Sequence, residues 1–206
     1  MEKKIPHQGG LSPKELWQKH KSNIVFVVFL AWMILFPRNP VRIAMTKGTG
    51  IIRTTVERLE LPRKKQQRLR PEDMRWQLID SGGKIYSFKD FSDKPVVINV
   101  WATWCPPCVA ELPSLIKLHE TYGNRVHFIF LADDRPEKVR QFLQQKNWNI
   151  PVYYSGSKRP FLLQSESIPA TFIIDRHQTI RVRKTGAMNW NTPKVKKLMD
   201  KLLREP

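Results

Sequence analysis

The stretch VINVWATWCPPCVAELPSL, residues 97–115, decides the reading of this chain, because it holds both of its cysteines. The run KPVVINVWA (94–102) ahead of them is valine-rich and apolar nearly throughout, the pattern of a strand covered on both faces. Behind them, PPCVAELPSLIKLHETYG (106–123) sets Val109, Leu112, Leu115 and Ile116 at helical spacing and stops at Gly123. Cys105 and Cys108 therefore stand where a buried strand turns into a helix. A cysteine there meets the positive end of the helix dipole and the unpaired N–H groups of the first turn, and both favour thiolate over thiol. Pro106 and Pro107 suit a helix entrance, where a missing N–H costs little, and they stiffen the loop.

Three uses of such a pair compete. Half a zinc site needs two more ligands, and none of His7, His20, His119, His127 and His177 forms a closely spaced pair, so no metal is expected. A static disulfide across a four-residue loop contributes little through loop entropy. A redox pair fits best. Cys105, nearer the tip, is expected to attack a substrate disulfide, and Cys108, one turn inward, to resolve the mixed disulfide. The Cys105–Cys108 disulfide is then the only redox group needed, with no further cofactor. Ile168-Pro169 precedes the apolar run ATFIID (170–175). It is either a plain strand-start marker or a cis turn, which at X-Pro costs only ~0.5–1 kcal/mol. A cis turn facing the cysteines would offer backbone groups to an extended substrate.

Working outward, WQLIDSGGKIYSF (76–88) reads as a hairpin around Gly82-Gly83, and VHFIFLA (126–132) as a second buried strand. Asp133 or Asp134 is expected to cap the next helix, with Pro136 in its first turn and Val139, Phe142 and Leu143 along one side. IPVYY (150–154) reads as a strand, 159–165 as a short helix, ATFIID and QTIRVRKTG (178–186) as a hairpin, and a last helix opens at Thr192-Pro193. This alternation predicts an α/β fold: a mixed sheet flanked by helices on both faces, with an N-terminal hairpin.

The 206 residues leave room for one domain of about 100–150 residues plus appendages. Two cysteines exclude a scaffold stapled by several disulfides. The net charge of +18 is uneven: +3 over 1–23, zero over 24–36, +8 over 37–71 and +7 over 72–206. Residues 24–36, IVFVVFLAWMILF, are thirteen apolar residues inside sixteen uncharged ones. As a helix those sixteen span ~24 Å against a ~30 Å hydrocarbon core, a gap that snorkelling of Lys21 and Arg38 and local thinning close. Pro37-Arg38-Asn39-Pro40 lacks the small residues of a cleavage site, so 24–36 is expected to be an uncleaved, single transmembrane signal anchor. Residues 1–23 are then a tail, 37–71 a basic linker and 72–206 the folded domain. Four Lys/Arg flank each side, so charge does not orient the anchor. The basic linker is either simply solvated or drawn to anionic lipid; no nucleic-acid-binding motif accompanies it, and no nucleic acid is expected.

Residues 97–115, together with SIPATFIID (167–175), resemble the membrane-anchored TlpA/ResA-like thiol–disulfide oxidoreductases of the thioredoxin superfamily. The resemblance covers about 72–206 and implies a thioredoxin-like sheet with a central insertion between Ala132 and Ser167. It implies that Cys105 and Cys108 are the active-site pair, Pro169 the cis proline and Pro113 the proline that kinks the active-site helix. Trp104, Pro106, Pro107 and Ile168 are then substrate contacts. Glu111 matches an acidic residue kept near the pair; its plain alternative is a first-turn glutamate favoured by the dipole. Partly buried, Glu111 would have a raised pKa and exchange protons with Cys108. Ordinary thioredoxins carry a buried aspartate where this chain has Asn99, which cannot titrate. The resemblance also implies the bacterial cytoplasmic membrane, with 1–23 cytoplasmic and the domain on the extracytoplasmic, periplasmic side. Partners would be disulfide-bearing exported proteins, apocytochrome c among them, and a membrane or extracytoplasmic thiol donor. Reduction is the usual direction. An oxidase or isomerase of oxidative folding, or a non-catalytic binding module, remains open.

Overall fold

The computed structural model describes residues 59–205; the expected anchor 24–36, the tail 1–23 and the linker up to residue 58 lie outside the described residues. No described helix is long and apolar enough to cross a membrane. Eight strands form one sheet: β1 (Gln67–Arg68), β2 (Gln77–Asp80), β3 (Ile85–Ser87), β4 (Val96–Trp101), β5 (His127–Ala132), β6 (Val152–Ser155), β7 (Ala170–Ile174) and β8 (Thr179–Thr185). Among the described residues, three α-helices accompany them: α1 (Pro106–Tyr122), α2 (Pro136–Lys146) and α3 (Pro193–Arg204). The strand order is β1-β8-β7-β4-β5-β6-β2-β3.

All six residues of β4 are buried, as the uninterrupted apolar run requires. β4 lies parallel to β5 and antiparallel to β7, so the helix that opens at Cys105 springs from the middle of the sheet. The expected hairpin is β2–β3, which turns through Gly83 at φ 86°, a left-handed conformation that glycine adopts without steric cost.

The sequence pattern placed helices on both faces, and the structure corrects this. Val97 and Trp101 point to one face, where they pack with Leu112 and Leu115 of α1, Val139 of α2 and Val195 and Leu202 of α3. Val96, Ile98 and Val100 point to the other, which is closed by Trp76, Phe88, Phe91 and Leu163 from short 3-10 turns and their flanks. The reason is topological. The chain steps β4 to β5 to β6 in one direction across the sheet, each pair parallel, and right-handed crossovers put both connecting helices on the same side. The helix expected over 159–165 shrinks to a single 3-10 turn, Phe161–Leu163, bounded by Pro160. Its apolar content, Phe-Leu-Leu, covers one turn only.

Two local expectations also change. Neither Asp133 nor Asp134 caps α2, whose N-cap is Arg135 without a side-chain bond. The Asp134 carboxylate instead accepts from the Thr103 hydroxyl and the Thr103 N–H, bracing the turn that leads to the cysteines. The domain also starts before residue 72. β1 pairs with β8, Leu69 is buried, and Leu61 N–H donates to the Arg181 carbonyl. The last part of the stretch read as linker thus completes the sheet.

Arg181, on β8 and 8% exposed, ties that early segment to the end of the chain. Its guanidinium binds Glu60, Asp175 and Glu205, and Lys201 joins Glu60 at 3.0 Å. Burial alone would raise the Glu60 pKa, but the bonds from Lys201 and Arg181 outweigh it and hold it below its ordinary value. A carboxylate with a depressed pKa contributes stability above its unfolded pKa and loses it as pH falls. Arg181→Met, which takes the shared guanidinium from three carboxylates, is expected to cost about 2–4 kcal/mol at pH 7 in urea unfolding. The deficit should shrink as the pH drops below the carboxylate range; a loss under about 1 kcal/mol at pH 7 would contradict this reading.

Candidate active site

The entrance of α1 admits a full account of its backbone donors. A helix leaves its first four N–H groups without intrahelical partners. Here Cys105 is the N-cap, and its N–H reaches the Ala102 carbonyl at 3.3 Å. Pro106 and Pro107 have no N–H at all. The fourth, Cys108 N–H, points at Cys105 Sγ, 3.3 Å away. The double proline thus leaves one free donor at the helix mouth, and it is aimed at the leading sulfur.

Cys105 and Cys108 are joined as a disulfide. Cys108 is fully buried and Cys105 is 4% exposed, so the leading cysteine is less open than its place at the tip suggested. The exposed atoms of the tip belong to Trp104, Pro106 and Pro107, with Trp104 64% exposed. Cys105 Sγ folds beneath them, 3.8 Å from the Ile168 carbonyl oxygen. The Ile168–Pro169 peptide is cis. Of the two readings left open for it, strand marker or cis turn, the turn is the one present. Reached from the surface, Cys105 is the first sulfur and Cys108 lies behind it.

One turn further along α1, Glu111 is buried, and its carboxylate has three donors. Oε1 accepts from Asn99 Nδ2 at 2.8 Å, while Oε2 accepts from Trp190 Nε1 at 3.0 Å and Met188 N at 3.1 Å. Asn99 Nδ2 also donates to Thr171 Oγ1 at 2.9 Å, across the β4–β7 register. Burial pushes the Glu111 pKa above its ordinary value, with the three hydrogen bonds pulling the other way. Of the residues singled out from sequence, Cys105, Cys108, Glu111, Asn99, Ile168 and Pro169 come together here. Pro113 stands inside α1 and, with Glu111, Ser114, Lys117, Met188 and Asn189, lines a groove of about 430 Å³. Thr171, Met188 and Trp190 were not foreseen. Thr171 was legible in principle, two residues past Pro169 on the strand that follows it. Met188 and Trp190 sit in an irregular loop whose sequence carries no periodic signal. Among the described residues, no group of three or more His, Cys, Asp or Glu side chains is placed to hold a metal ion.

Residues 64–202 match the Redoxin family. Among curated proteins, the thiol:disulfide interchange protein DsbE of Escherichia coli (strain K12) is 32% identical over 136 residues, 64% of this chain and 72% of that one. The thiol-disulfide oxidoreductase ResA of Bacillus cereus is 31% identical over 116 residues, 55% of this chain and 67% of that protein. The thioredoxin-like protein YneN of Bacillus subtilis (strain 168) is 30% identical over 110 residues, 52% of this chain. The chain spans 65% of YneN, slightly under two thirds. Two solved structures share the fold. A thiol-disulfide isomerase from Corynebacterium glutamicum has a TM-score of 0.53 at 23% identity, over 69% of this chain and 99% of that one. A secreted Mycobacterium tuberculosis disulfide oxidoreductase has a TM-score of 0.51 at 20% identity, over 65% and 98%.

An acid whose folded pKa is raised binds more protons folded than unfolded, so stability falls as pH rises through the interval above the ordinary value of 4.5. Glu111→Gln is neutral at every pH and removes that titration. Its stability relative to the natural chain should therefore improve as pH rises above 4.5 and level off once Glu111 is ionised in the folded protein, and urea midpoints at several pH values read this directly. A difference that is flat with pH would contradict a raised Glu111 pKa.

Proposed function

The chain belongs to the Redoxin family, and we propose that it works as a membrane-tethered thiol–disulfide oxidoreductase that reduces disulfides of exported proteins. The observation that carries the reading is the order of the two sulfurs at the α1 entrance, Cys105 outermost beneath its donor and Cys108 behind. In the dithiol state, Cys105 as thiolate attacks one sulfur of a substrate disulfide. The substrate S–S bond breaks, a mixed disulfide forms on Cys105, and the departing substrate thiolate takes up a proton. Cys108 then loses its proton and attacks Cys105 Sγ. The mixed disulfide opens, the second substrate thiol leaves, and the Cys105–Cys108 disulfide present in this structure results. Two electrons have moved to the substrate, and an external dithiol must return them. No redox group beyond the cysteine pair enters the reaction.

Around this chemistry, Trp104, Pro106 and Pro107 form the exposed contact surface, and the Ile168-Pro169 turn presents backbone to an extended substrate segment. Glu111, three residues along the helix from Cys108, receives and returns the Cys108 proton, with Asn99 holding its Oε1. Residues 24–36 anchor the protein in the bacterial cytoplasmic membrane and keep the domain on the extracytoplasmic side. The relatives named thiol:disulfide interchange protein and thiol-disulfide oxidoreductase support disulfide-bearing protein substrates, and exported proteins, apocytochrome c among them, are the specific candidates of this reading. The same fold in a thiol-disulfide isomerase keeps oxidative folding as the second reading.

Three measurements test this. Cys108→Ser in the full chain should accumulate a mixed disulfide on Cys105 with its substrate, and Cys105→Ser should reduce disulfide exchange to the uncatalysed background. Equal turnover by Cys105→Ser and the natural protein would leave only a binding module. Titration against glutathione should give a potential below about −220 mV; a value well above it favours the isomerase or oxidase reading.

A further inference from the structure

The loop from Gly186 to Trp190 touches the site at three points. Gly186 N–H donates to the Pro169 carbonyl at 2.9 Å, in the cis turn. Met188 N–H and the Trp190 indole N–H both end on Glu111 Oε2. Trp190 itself is fully buried, and its own N–H donates to Ser114 Oγ at 2.9 Å. Ser114 Oγ in turn donates to the Glu111 carbonyl at 2.7 Å. The indole is thereby held against the same helical turn that carries the carboxylate.

We propose that Trp190 is a positioning residue for thiol–disulfide exchange, its indole N–H holding the Glu111 carboxylate in the orientation and the charged state in which it serves the cysteine pair. This rests on the proton role of Glu111 given above. Each of the three groups bonded to the carboxylate is a donor. A protonated Glu111 has less acceptor capacity and brings a hydroxyl that needs an acceptor of its own, so it fits three donors less well than the carboxylate does. The donors therefore favour the carboxylate while burial favours the acid, and the state of Glu111 rests on a balance that one N–H tilts. Among the described residues, Trp190 is the one side-chain donor to Oε2, and it reaches in from outside the sheet. The titratable neighbours are Cys108 on the same helix and Lys117, which lines the groove beside it. Asn99 from β4, Thr171 behind it on β7, and Met188 and Trp190 from the loop carry no charge.

The test uses the full chain in detergent, reduced, with dithiobis(nitrobenzoate) and then insulin as disulfide probes, and reads exchange rate against pH. Glu111→Gln first identifies the limb of the profile that belongs to Glu111. Trp190→Phe risks a hole in the core, so benzothienylalanine at 190 supplies the decisive variant: the same bicycle with sulfur in place of N–H. With that donor gone, the Glu111 limb should move up by roughly one to two pH units, slowing exchange about tenfold per unit within that interval. 5-Fluorotryptophan at 190, which keeps the N–H, should restore the natural profile. A limb that stays in place with benzothienylalanine overturns the positioning role while leaving the Glu111 reading intact. A profile unchanged in Glu111→Gln itself overturns both.

Discussion

A single N–H aimed at a single sulfur organises this site. Cys108 N–H is the one donor that the helix entrance retains after Cys105 N–H is spent on Ala102 and two prolines remove the rest. A helix start with ordinary residues would spread its partial positive charge over several donors and admit water to them. Here the charge converges on Cys105 Sγ. The rest of the fold serves that convergence. A strand buried at every residue fixes where the helix begins, and the Thr103–Asp134 bond fixes the turn between them. The cis turn at Pro169 closes the far side of the sulfur.

A second layer surrounds the first and holds a buried carboxylate rather than a sulfur. Asn99 stands on the central strand where it cannot titrate, yet it bonds Glu111, so strand and helix together hold one buried carboxylate. The loop after β8 reaches both the Pro169 carbonyl and the Glu111 carboxylate, joining the cis turn to the buried acid. A buried carboxylate with only donors around it is a conditional arrangement. It is stable as an anion where bonds prevail and as an acid where desolvation prevails, which suits the proton role proposed for it.

Much of this was legible in the residues. The strand 94–102 and the helix from 106 to Gly123 followed from apolar run, spacing and stop signal, and the structure has β4 and α1 there. An X-Pro before an apolar strand left two readings, and the cis turn was one of them. What failed had physical causes. Periodicity reveals that a helix is amphipathic but not which sheet face it covers, and that choice came from strand order and crossover hand. An aspartate before a helix has more than one use, and Asp134 went to Thr103 instead of the cap. β1 is two residues long, too short for any alternation to show, so the start of the domain was read as linker. Trp190, far off in the chain from the cysteines, announces nothing until the fold brings it to Glu111.

The most direct test of this description is the acidity of the leading sulfur. Reduced protein carrying Cys108→Ala would be alkylated with iodoacetamide across pH, the rate reporting the thiolate fraction of Cys105. A pKa well below the free value of ~8.5 is what the helix entrance predicts. A Cys105 that titrates at or above that value would contradict it, and with it the order of attack on which the proposed reaction stands.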